Sequence, residues 1–226
     1  MNTNELIKNW KAEERITHIH GWDFSHIDGR YTEQDDLPWD YRAVIEEYLR
    51  LEMKIMDIDT GGGEFLLSLN HPHEKTAAME NYSPNVALCK EVLLPLGIDF
   101  RAGDGKGKLP FDDGSFDMVI NRHGDFNAEK IYRVLKPGGP FITQQVGAEN
   151  DRELVELLCD ETQRPFPDQY LNITTRKFEM QASPFCRARK YSAPSGSLML
   201  VHWYGSLVLS NGNFQTFLWI AIWRTY

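Results

Sequence analysis

The chain lacks the features that mark membrane, secreted and disulfide-stabilised proteins. Its 226 residues contain no apolar run of about 18 residues, and Met1–Trp10 carries no apolar stretch. We therefore expect neither a transmembrane helix nor a signal peptide. The three cysteines (Cys89, Cys159 and Cys186) form no C-x-x-C pair and are too few for a disulfide framework. These absences predict a cytoplasmic protein that does not bind membranes.

Positive charge is also scarce. The chain has 24 Lys and Arg against 33 Asp and Glu, a net charge of -9. A protein that binds the phosphate backbone of nucleic acids needs a basic face, so we expect no nucleic-acid partner. Hydrophobic residues make up 42% of the chain, which is enough for a folded core.

Several catalytic and metal-binding patterns are missing. There is no G-x-S-x-G turn of the kind that carries the nucleophile of hydrolases. The pairs His18-x-His20 and His71-x-His73 have no acidic or cysteine partner at ligand spacing, so they favour loop histidines, and we expect no metal site.

Strands and helices alternate five times between Lys54 and Thr162. Strands separated by helices cannot pair as hairpins, so the pattern predicts a parallel sheet with right-handed crossovers and helices on both faces. The predicted strands are Lys54–Ile58, Lys75–Glu80, Ile98–Ala102, Phe116–Asn121 and Phe141–Val146. Ligands of such α/β sheets bind outside the carboxyl ends of the strands.

The unusual residues of the sequence fall at those strand ends. Asp57 and Asp59 precede a glycine turn, Gly61-Gly62-Gly63, that lets backbone N–H groups approach a ligand closely. Glu80 ends the second strand, where a carboxylate can accept hydrogen bonds from a ribose diol. Asp104 follows the third strand and can accept a hydrogen bond from an exocyclic amine. Each feature also fits an ordinary turn or a solvated carboxylate; their order and spacing carry the signal.

Over about Pro38–Val146 the chain resembles the class I S-adenosylmethionine-dependent methyltransferases. The resemblance rests on DIDTGGGE, AMENYSPN, GDGKGKLPFDDGSFDMVI and YRVLKPGG. It implies a Rossmann-like doubly wound α/β sheet of strand order 3-2-1-4-5, and S-adenosyl-L-methionine as the cofactor. It also implies methyl transfer to a small-molecule or protein acceptor.

The resemblance also implies roles for individual residues. Asp57 contacts the methionine amino group, and Gly61 and Gly63 pass beneath the methionine and ribose. Glu80 holds the ribose hydroxyls. The resemblance places Asp104 and the Gly105 backbone against adenine. It places Asn121 and Arg122 at the methionine end, facing the acceptor. The chain departs from the family at Asp59, where glycine is usual, and this second carboxylate would repel the carboxylate of the cofactor.

Two alternatives remain open beside methyl transfer. Glu80 would also suit a nucleotide-dependent oxidoreductase, but the G-x-G-x-x-G fingerprint needs a third glycine where this chain has Leu66. Asp59 keeps open a binding or regulatory module that has lost catalysis. If the acceptor needs a base, His123 and Asp125 are the candidates, and His123 is the catalytic residue that we predict.

The chain divides into three predicted regions. Residues 1–40 form a helix and an aromatic stretch, Gly21–Trp39, that could close the pocket as a lid; residues 41–165 form the methyltransferase core; and residues 166–226 form a C-terminal segment. The final part, Gln181–Tyr226, contains no Asp or Glu, and a shift in charge of this kind marks a separate segment.

Two hypotheses account for this tail. The first is a β-hairpin of Leu198–Leu209 with Phe214–Trp223, which would supply the last two strands of the sheet. The second is a slip of reading frame upstream of Met180. By the standard genetic code, the shifted frame permits a strand AGFTVL and an amphipathic helix DVGALVWFARIIEW with acidic residues restored. In that case the tail seen here was never selected to pack.

Overall fold

A computed structural model of the chain describes residues 3–16, 37–150, 152–158, 166–180, 185–196, 199–203, 206–210 and 213–224. The predicted lid, Gly21–Trp39, lies outside the described residues except for its last three. The histidines His18 and His20, and Cys159, also lie outside them. The division of the chain into three regions stays a prediction.

The described helices are α1 (Thr3–Ile16), α2 (Tyr41–Tyr48), α3 (Glu64–Ser68), α4 (Ser83–Val92), α5 (Ala128–Val134), α6 (Arg152–Leu158) and α7 (Leu171–Glu179). The strands are β1 (Ile55–Ile58), β2 (Thr76–Glu80), β3 (Asp99–Ala102), β4 (Met118–Arg122), β5 (Pro140–Val146), β6 (Phe185–Gly196), β7 (Met199–Trp203), β8 (Ser206–Ser210) and β9 (Asn213–Arg224). Among the described residues, no helix is long and apolar enough to cross a membrane.

Seven of the strands form one sheet in the order β3-β2-β1-β4-β5-β9-β6. The first five are parallel, with Ile55 of β1 opposite Thr76 of β2 on one side and Met118 of β4 on the other. This confirms the predicted fold class and the order 3-2-1-4-5. Because the order reverses between β1 and β4, the loops that follow these two strands diverge and leave a crevice at their carboxyl ends.

The sheet is covered on both faces because alternate residues of each strand point to opposite sides. Met56 of β1 and Phe141 of β5 pack with α5 and α7 in one core cluster. Ile55 of β1 and Ile142 of β5 belong to a second cluster, which includes residues of α2, α3 and α4. Two apolar layers therefore hold the sheet rigid and fix the positions of the strand ends.

The tail pairs differently from the predicted hairpin. Segment 213–224 forms β9, which lies antiparallel to β5, with Phe141 opposite Trp223, and antiparallel to β6 on its other side. Strands β7 and β8 instead pair antiparallel with each other in a separate two-stranded sheet. The hairpin prediction was therefore wrong about the partner of β9. The turn residues between Leu209 and Phe214 predict only that the chain reverses its direction locally. The open edge of β5 offers β9 a longer ladder of backbone hydrogen bonds.

Candidate functional site

The turn after β1 is built around positive backbone angles. Gly61 has φ 67° and Gly63 has φ 89°, a region where L side chains are strained. A Cβ on Gly63 would also lie 2.7 Å from Leu93 Cδ2. Thr60 N–H donates to the Met79 carbonyl at 3.0 Å, which ties the turn to β2. Gly61 and Gly63 are therefore required for α3 to begin directly against the sheet.

Glu80 at the end of β2 is buried and oriented by the backbone. One carboxylate oxygen accepts the Gly61 N–H at 2.8 Å. The other accepts the N–H groups of Asn81 and Tyr82, each at 2.8 Å. The three hydrogen bonds that it accepts fix the carboxylate in one position beside the glycine turn. Of its roughly four lone-pair sites, about one is left for a ligand, on Oε2.

Asp57 lies inside the sheet rather than at its surface. It is 5% exposed and accepts a hydrogen bond from Thr60 Oγ1 at 2.7 Å. Burial raises the pKa of Asp57 to about 7, and the neighbouring carboxylates of Asp59 and Glu80 add to the rise, while the Thr60 bond opposes it. A carboxyl group in this state gains from any cationic group that enters the crevice.

Asp59 is the one non-glycine residue with positive φ in the turn, at 56°. Its Oδ1 accepts a hydrogen bond from Asn81 Nδ2 at 3.2 Å. On its other side it packs against Gly124, where a Cβ would lie 2.5 Å from Asp59 Cβ. Asp59 therefore bridges the loops that follow β1, β2 and β4. Burial, and the carboxylates of Glu80, Asp104 and Asp125, raise its pKa to about 7.

Asp104 and Gly105 lie after β3, beside the loop that follows β4. Asp104 is exposed, and its Oδ1 accepts the Lys106 N–H at 2.8 Å in a tight turn. Gly105 is buried, and a Cβ there would collide with the Asp125 carbonyl oxygen and lie 2.8 Å from Ile58 Cγ2. Lys106 Nζ pairs with Asp125 at 2.6 Å. The backbone of this turn therefore approaches β1 closely enough to form a wall of the crevice.

Asn121 at the end of β4 is fully buried and uses its side chain within the protein. Its Nδ2 donates to the Ile58 carbonyl at 3.0 Å, and its Oδ1 accepts hydrogen bonds from Thr143 Oγ1 and Gln145 Nε2 at 3.0 Å and 2.5 Å. These bonds hold the ends of β1, β4 and β5 together. The expected contact of Asn121 with the cofactor stays a prediction, while its positioning role is visible.

Arg122, the next residue, is exposed at the same strand end. Its guanidinium carbon lies 5.8 Å from the centre of the Tyr41 ring and 5.9 Å from that of Phe65, distances at which a cation and an aromatic ring attract each other. The Tyr41 hydroxyl donates to the Asn121 carbonyl at 3.0 Å. Tyr41, from the segment before β1, thus reaches the end of β4, where the Arg122 guanidinium lies near its ring and that of Phe65.

His123 also has a positive φ, 65°. Its backbone N–H donates to the Gln144 carbonyl at 2.8 Å, and its Nε2 lies 3.4 Å from Gln144 Nε2. Burial, reinforced by Arg122, lowers the pKa of His123 to about 4. The imidazole is therefore neutral near pH 7, and as a base it is weaker than an ordinary histidine.

Sequence reasoning missed the buried polar residues that support the site. Trp39 Nε1 donates to Gln144 Oε1 at 2.8 Å, and Gln169 Nε2 donates to Gln145 Oε1 at 2.9 Å. Both glutamines are at most 2% exposed on β5. Two adjacent amides inside an otherwise apolar strand were a visible signal, since buried amides need hydrogen-bond partners.

Comparison with known proteins gives a consistent picture of this region. Residues 56–143 match the family model described as "Methyltransferase domain". The chain is 39% identical over 89 residues to phthiotriol/phenolphthiotriol dimycocerosates methyltransferase of Mycobacterium tuberculosis, a match that covers 36% of this chain and 32% of that protein. It is 30% identical over 117 residues to demethylmenaquinone methyltransferase of Thermus thermophilus, covering 47% of this chain and 53% of the relative.

The matched segment thus spans about a third to a half of the length of these relatives. Among solved structures, an S-adenosylmethionine-dependent methyltransferase from Methanosarcina mazei superimposes with a TM-score of 0.54 at 16% identity, covering 80% of this chain and 96% of that one. At this identity the likeness shows the fold. The structural likeness covers more of the chain than residues 56–143, which match the family model.

Proposed function

We propose that the crevice binds S-adenosyl-L-methionine and that the chain transfers its methyl group to an acceptor, since residues 56–143 match a methyltransferase domain and the parallel strands have the order 3-2-1-4-5. The observation that carries the proposal is Glu80. A buried carboxylate, fixed by three backbone N–H groups beside a glycine turn, is placed to accept a hydrogen bond from a ribose hydroxyl.

The rest of the donor set fits the same ligand. Asp57 offers a buried carboxyl group to an ammonium, and Asp104 offers an acceptor to the amine of adenine. Gly105 lets the turn after β3 pack against Ile58 and the Asp125 carbonyl, since a Cβ at this position would collide with both. The predicted oxidoreductase alternative is disfavoured because Leu66 is buried at 2% exposure in α3, where that fingerprint needs glycine.

The cofactor, when bound, supplies a methyl group on a sulfonium, which is already a strong electrophile. The chain therefore has to bind the cofactor and the acceptor, align them, and exclude water. Glu80 and the glycine turn hold the ribose end of the cofactor. Asp57 and Arg122 contact its methionine end, and Asn121 holds in place the strand ends that carry them. Tyr41 and Phe65, with Arg122 beside them, line the side on which we place the acceptor.

We propose a small molecule as the acceptor, with a protein side chain as the alternative. The two relatives, a demethylmenaquinone methyltransferase and a phthiotriol/phenolphthiotriol dimycocerosates methyltransferase, bear names in keeping with a small-molecule acceptor. An acceptor that loses its proton readily needs no strong base, and this suits a His123 whose pKa is lowered to about 4. A binding module without turnover is the second candidate, and it is favoured by the extra carboxylate of Asp59.

Calorimetric titration of the full chain with S-adenosylmethionine tests the proposal. We expect saturable binding, and we expect Glu80→Gln to weaken it by about 1–3 kcal/mol, because the amide cannot accept as many charge-assisted hydrogen bonds. Glu74→Gln is the matched control, since Glu74 is an exposed glutamate outside the crevice; it should bind like the parent.

Because Glu80 also holds the Gly61 N–H, thermal unfolding of Glu80→Gln without ligand has to be measured alongside. No binding by the parent at millimolar cofactor would refute the proposal. Binding by the parent, followed by methyl transfer from labelled cofactor to none of a panel of quinols, phenols and amines, would favour the binding module.

A further inference from the structure

Asp59 places a carboxylate in the turn between β1 and α3, at a position where glycine, which has no side chain, would be sufficient for the fold. It holds a positive φ of 56°, which costs a residue with a side chain more than it costs glycine. The side chain nevertheless has a defined place, between Asn81 Nδ2 at 3.2 Å and the backbone of Gly124. Its contacts fix the carboxylate in the crevice, rather than letting it turn away into solvent.

The position of Asp59 is intermediate between the two ends of the proposed cofactor site. Asn81 follows Glu80, which we assign to the ribose. Gly124 follows the strand end, Asn121 and Arg122, which we assign to the methionine end. In S-adenosylmethionine the sulfur joins the ribose to the methionine chain. A carboxylate that touches both loops therefore lies on the part of the site that faces the sulfur.

We propose that the Asp59 carboxylate makes this site prefer the sulfonium cofactor, S-adenosylmethionine, over the neutral thioether that remains after methyl transfer, S-adenosylhomocysteine. The inference rests on the proposed function and names a residue that sets specificity within the same site. By favouring the charged form, Asp59 helps the spent cofactor to leave.

The electrostatics of the crevice support this role. Four other carboxylates surround Asp59, from β1, β2 and the loops after β3 and β4: Asp57, Glu80, Asp104 and Asp125. In the part of the chain that the structure describes, Lys106 pairs with Asp125, and no ion pair involves Asp59. A cation placed beside Asp59 relieves like-charge repulsion that a neutral sulfur leaves in place.

The two ligands differ by one methyl group and one positive charge, while the adenosine and the amino acid end are shared. Any repulsion between Asp59 and the carboxylate of the ligand is therefore common to both. The ratio of their dissociation constants cancels this shared part and reports the charge at sulfur. This makes the ratio, rather than either affinity, the quantity to measure.

The experiment is calorimetric titration of the full chain at pH 8 with each ligand, for the parent, Asp59→Asn and Asp104→Asn. Asparagine keeps the size of the side chain and tolerates positive φ, so Asp59→Asn removes mainly the charge. We expect the preference for S-adenosylmethionine to fall by about tenfold in Asp59→Asn, the scale of one unit charge acting on another in a partly solvated crevice. Asp104→Asn, the matched control at the adenine end, should weaken both ligands alike and leave the ratio nearly unchanged.

An unchanged ratio in Asp59→Asn, with both ligands still bound, overturns the inference and leaves the proposed function standing. Failure of the parent and both variants to bind either ligand overturns both. If the parent fails to bind while Asp59→Asn binds both ligands, Asp59 blocks the site and the inference is overturned, although the cofactor site survives.

Should Asp59→Asn not fold, the parent is titrated with sinefungin, an adenosyl analogue that carries an amine in place of the sulfonium. The inference requires the cationic analogue to bind more tightly than S-adenosylhomocysteine, and equal or weaker binding overturns it.

Discussion

Replacing Asp59 should reveal how much stability the turn after β1 gives up to keep a charged side chain there. Two costs are visible in the structure without ligand. The positive φ of 56° costs an ordinary L residue about 1–2 kcal/mol, and less for Asp or Asn, which tolerate this region. A rise of the pKa from 3.8 to about 7 corresponds to several kcal/mol at face value, and to about 1–2 kcal/mol after a discount for the solvent that reaches this partly exposed group.

Three substitutions separate these costs. Asp59→Asn removes the charge and retains an acceptor for Asn81, so we expect it to raise the free energy of unfolding at pH 8 by about 1 kcal/mol. Asp59→Gly also removes the strain, but it loses the hydrogen bond and adds the entropy of glycine, so its gain should be similar, about 1 kcal/mol. Asp59→Ala removes the charge but keeps the strain and loses the hydrogen bond, so it should be no more stable than the parent.

The assay is urea unfolding of each full-length variant, without ligand, at pH 8 and pH 5.5. At pH 5.5 Asp59 is mostly protonated in the folded state, so the advantage of Asp59→Asn should shrink. A loss of stability in Asp59→Asn at pH 8, or the same gain at both pH values, would refute the argument that charge is the main cost.

Other consequences of the structure can be measured on the same protein. Because the folded-state pKa values of Asp57 and Asp59 are raised to about 7, the folded state holds protons that the unfolded state has lost, and stability should fall by about 1 kcal/mol from pH 6.5 to 8.5 in unfolding measured without ligand. His123, whose pKa is lowered to about 4, contributes stability that is lost only as pH falls below about 6.5, so a flat profile above 6.5 would contradict the carboxylate assignment. Gly124→Ala should cost about 1–3 kcal/mol by forcing a methyl group onto Asp59, and Asp59→Gly should recover part of that loss; equal costs in both backgrounds would exclude the contact. For the proposed slip of reading frame, the nucleotide sequence should show no stop in the shifted frame across Met180–Gly205, and a stop there rules the slip out.

The parallel sheet and its ligand edge could be predicted because they depend on local pattern. Short apolar runs, each followed by a helix, leave a parallel sheet as the arrangement that buries both faces. Since the carboxyl ends of parallel strands share one edge, Asp57, Glu80 and Asp104 had to lie near one another, and the structure brings them together.

What escaped prediction depends on contacts between distant segments. Asn121 lies at a strand end, where a sequence pattern predicts a ligand contact. Its side-chain amide is instead hydrogen bonded to Ile58 of β1 and Thr143 of β5, the strands on either side. The reach of Tyr41 to Arg122, and of Trp39 to Gln144, joins the segment before β1 to the far side of the sheet. No local periodicity encodes such a pairing, because it is fixed only when the sheet and α2 pack.

The antiparallel placement of β9 between β5 and β6 also constrains the order in which the molecule can be assembled. β1 to β5 are joined by short crossovers, whereas β9 reaches β5 only after the chain of α6, α7 and β6 to β8 has been laid out. Contacts between such distant segments carry a large cost of loop closure and form late in folding. Until then, the backbone of β5 is an unprotected edge that can pair with another chain. The yield of refolding should therefore depend steeply on protein concentration, even where the finished fold is stable.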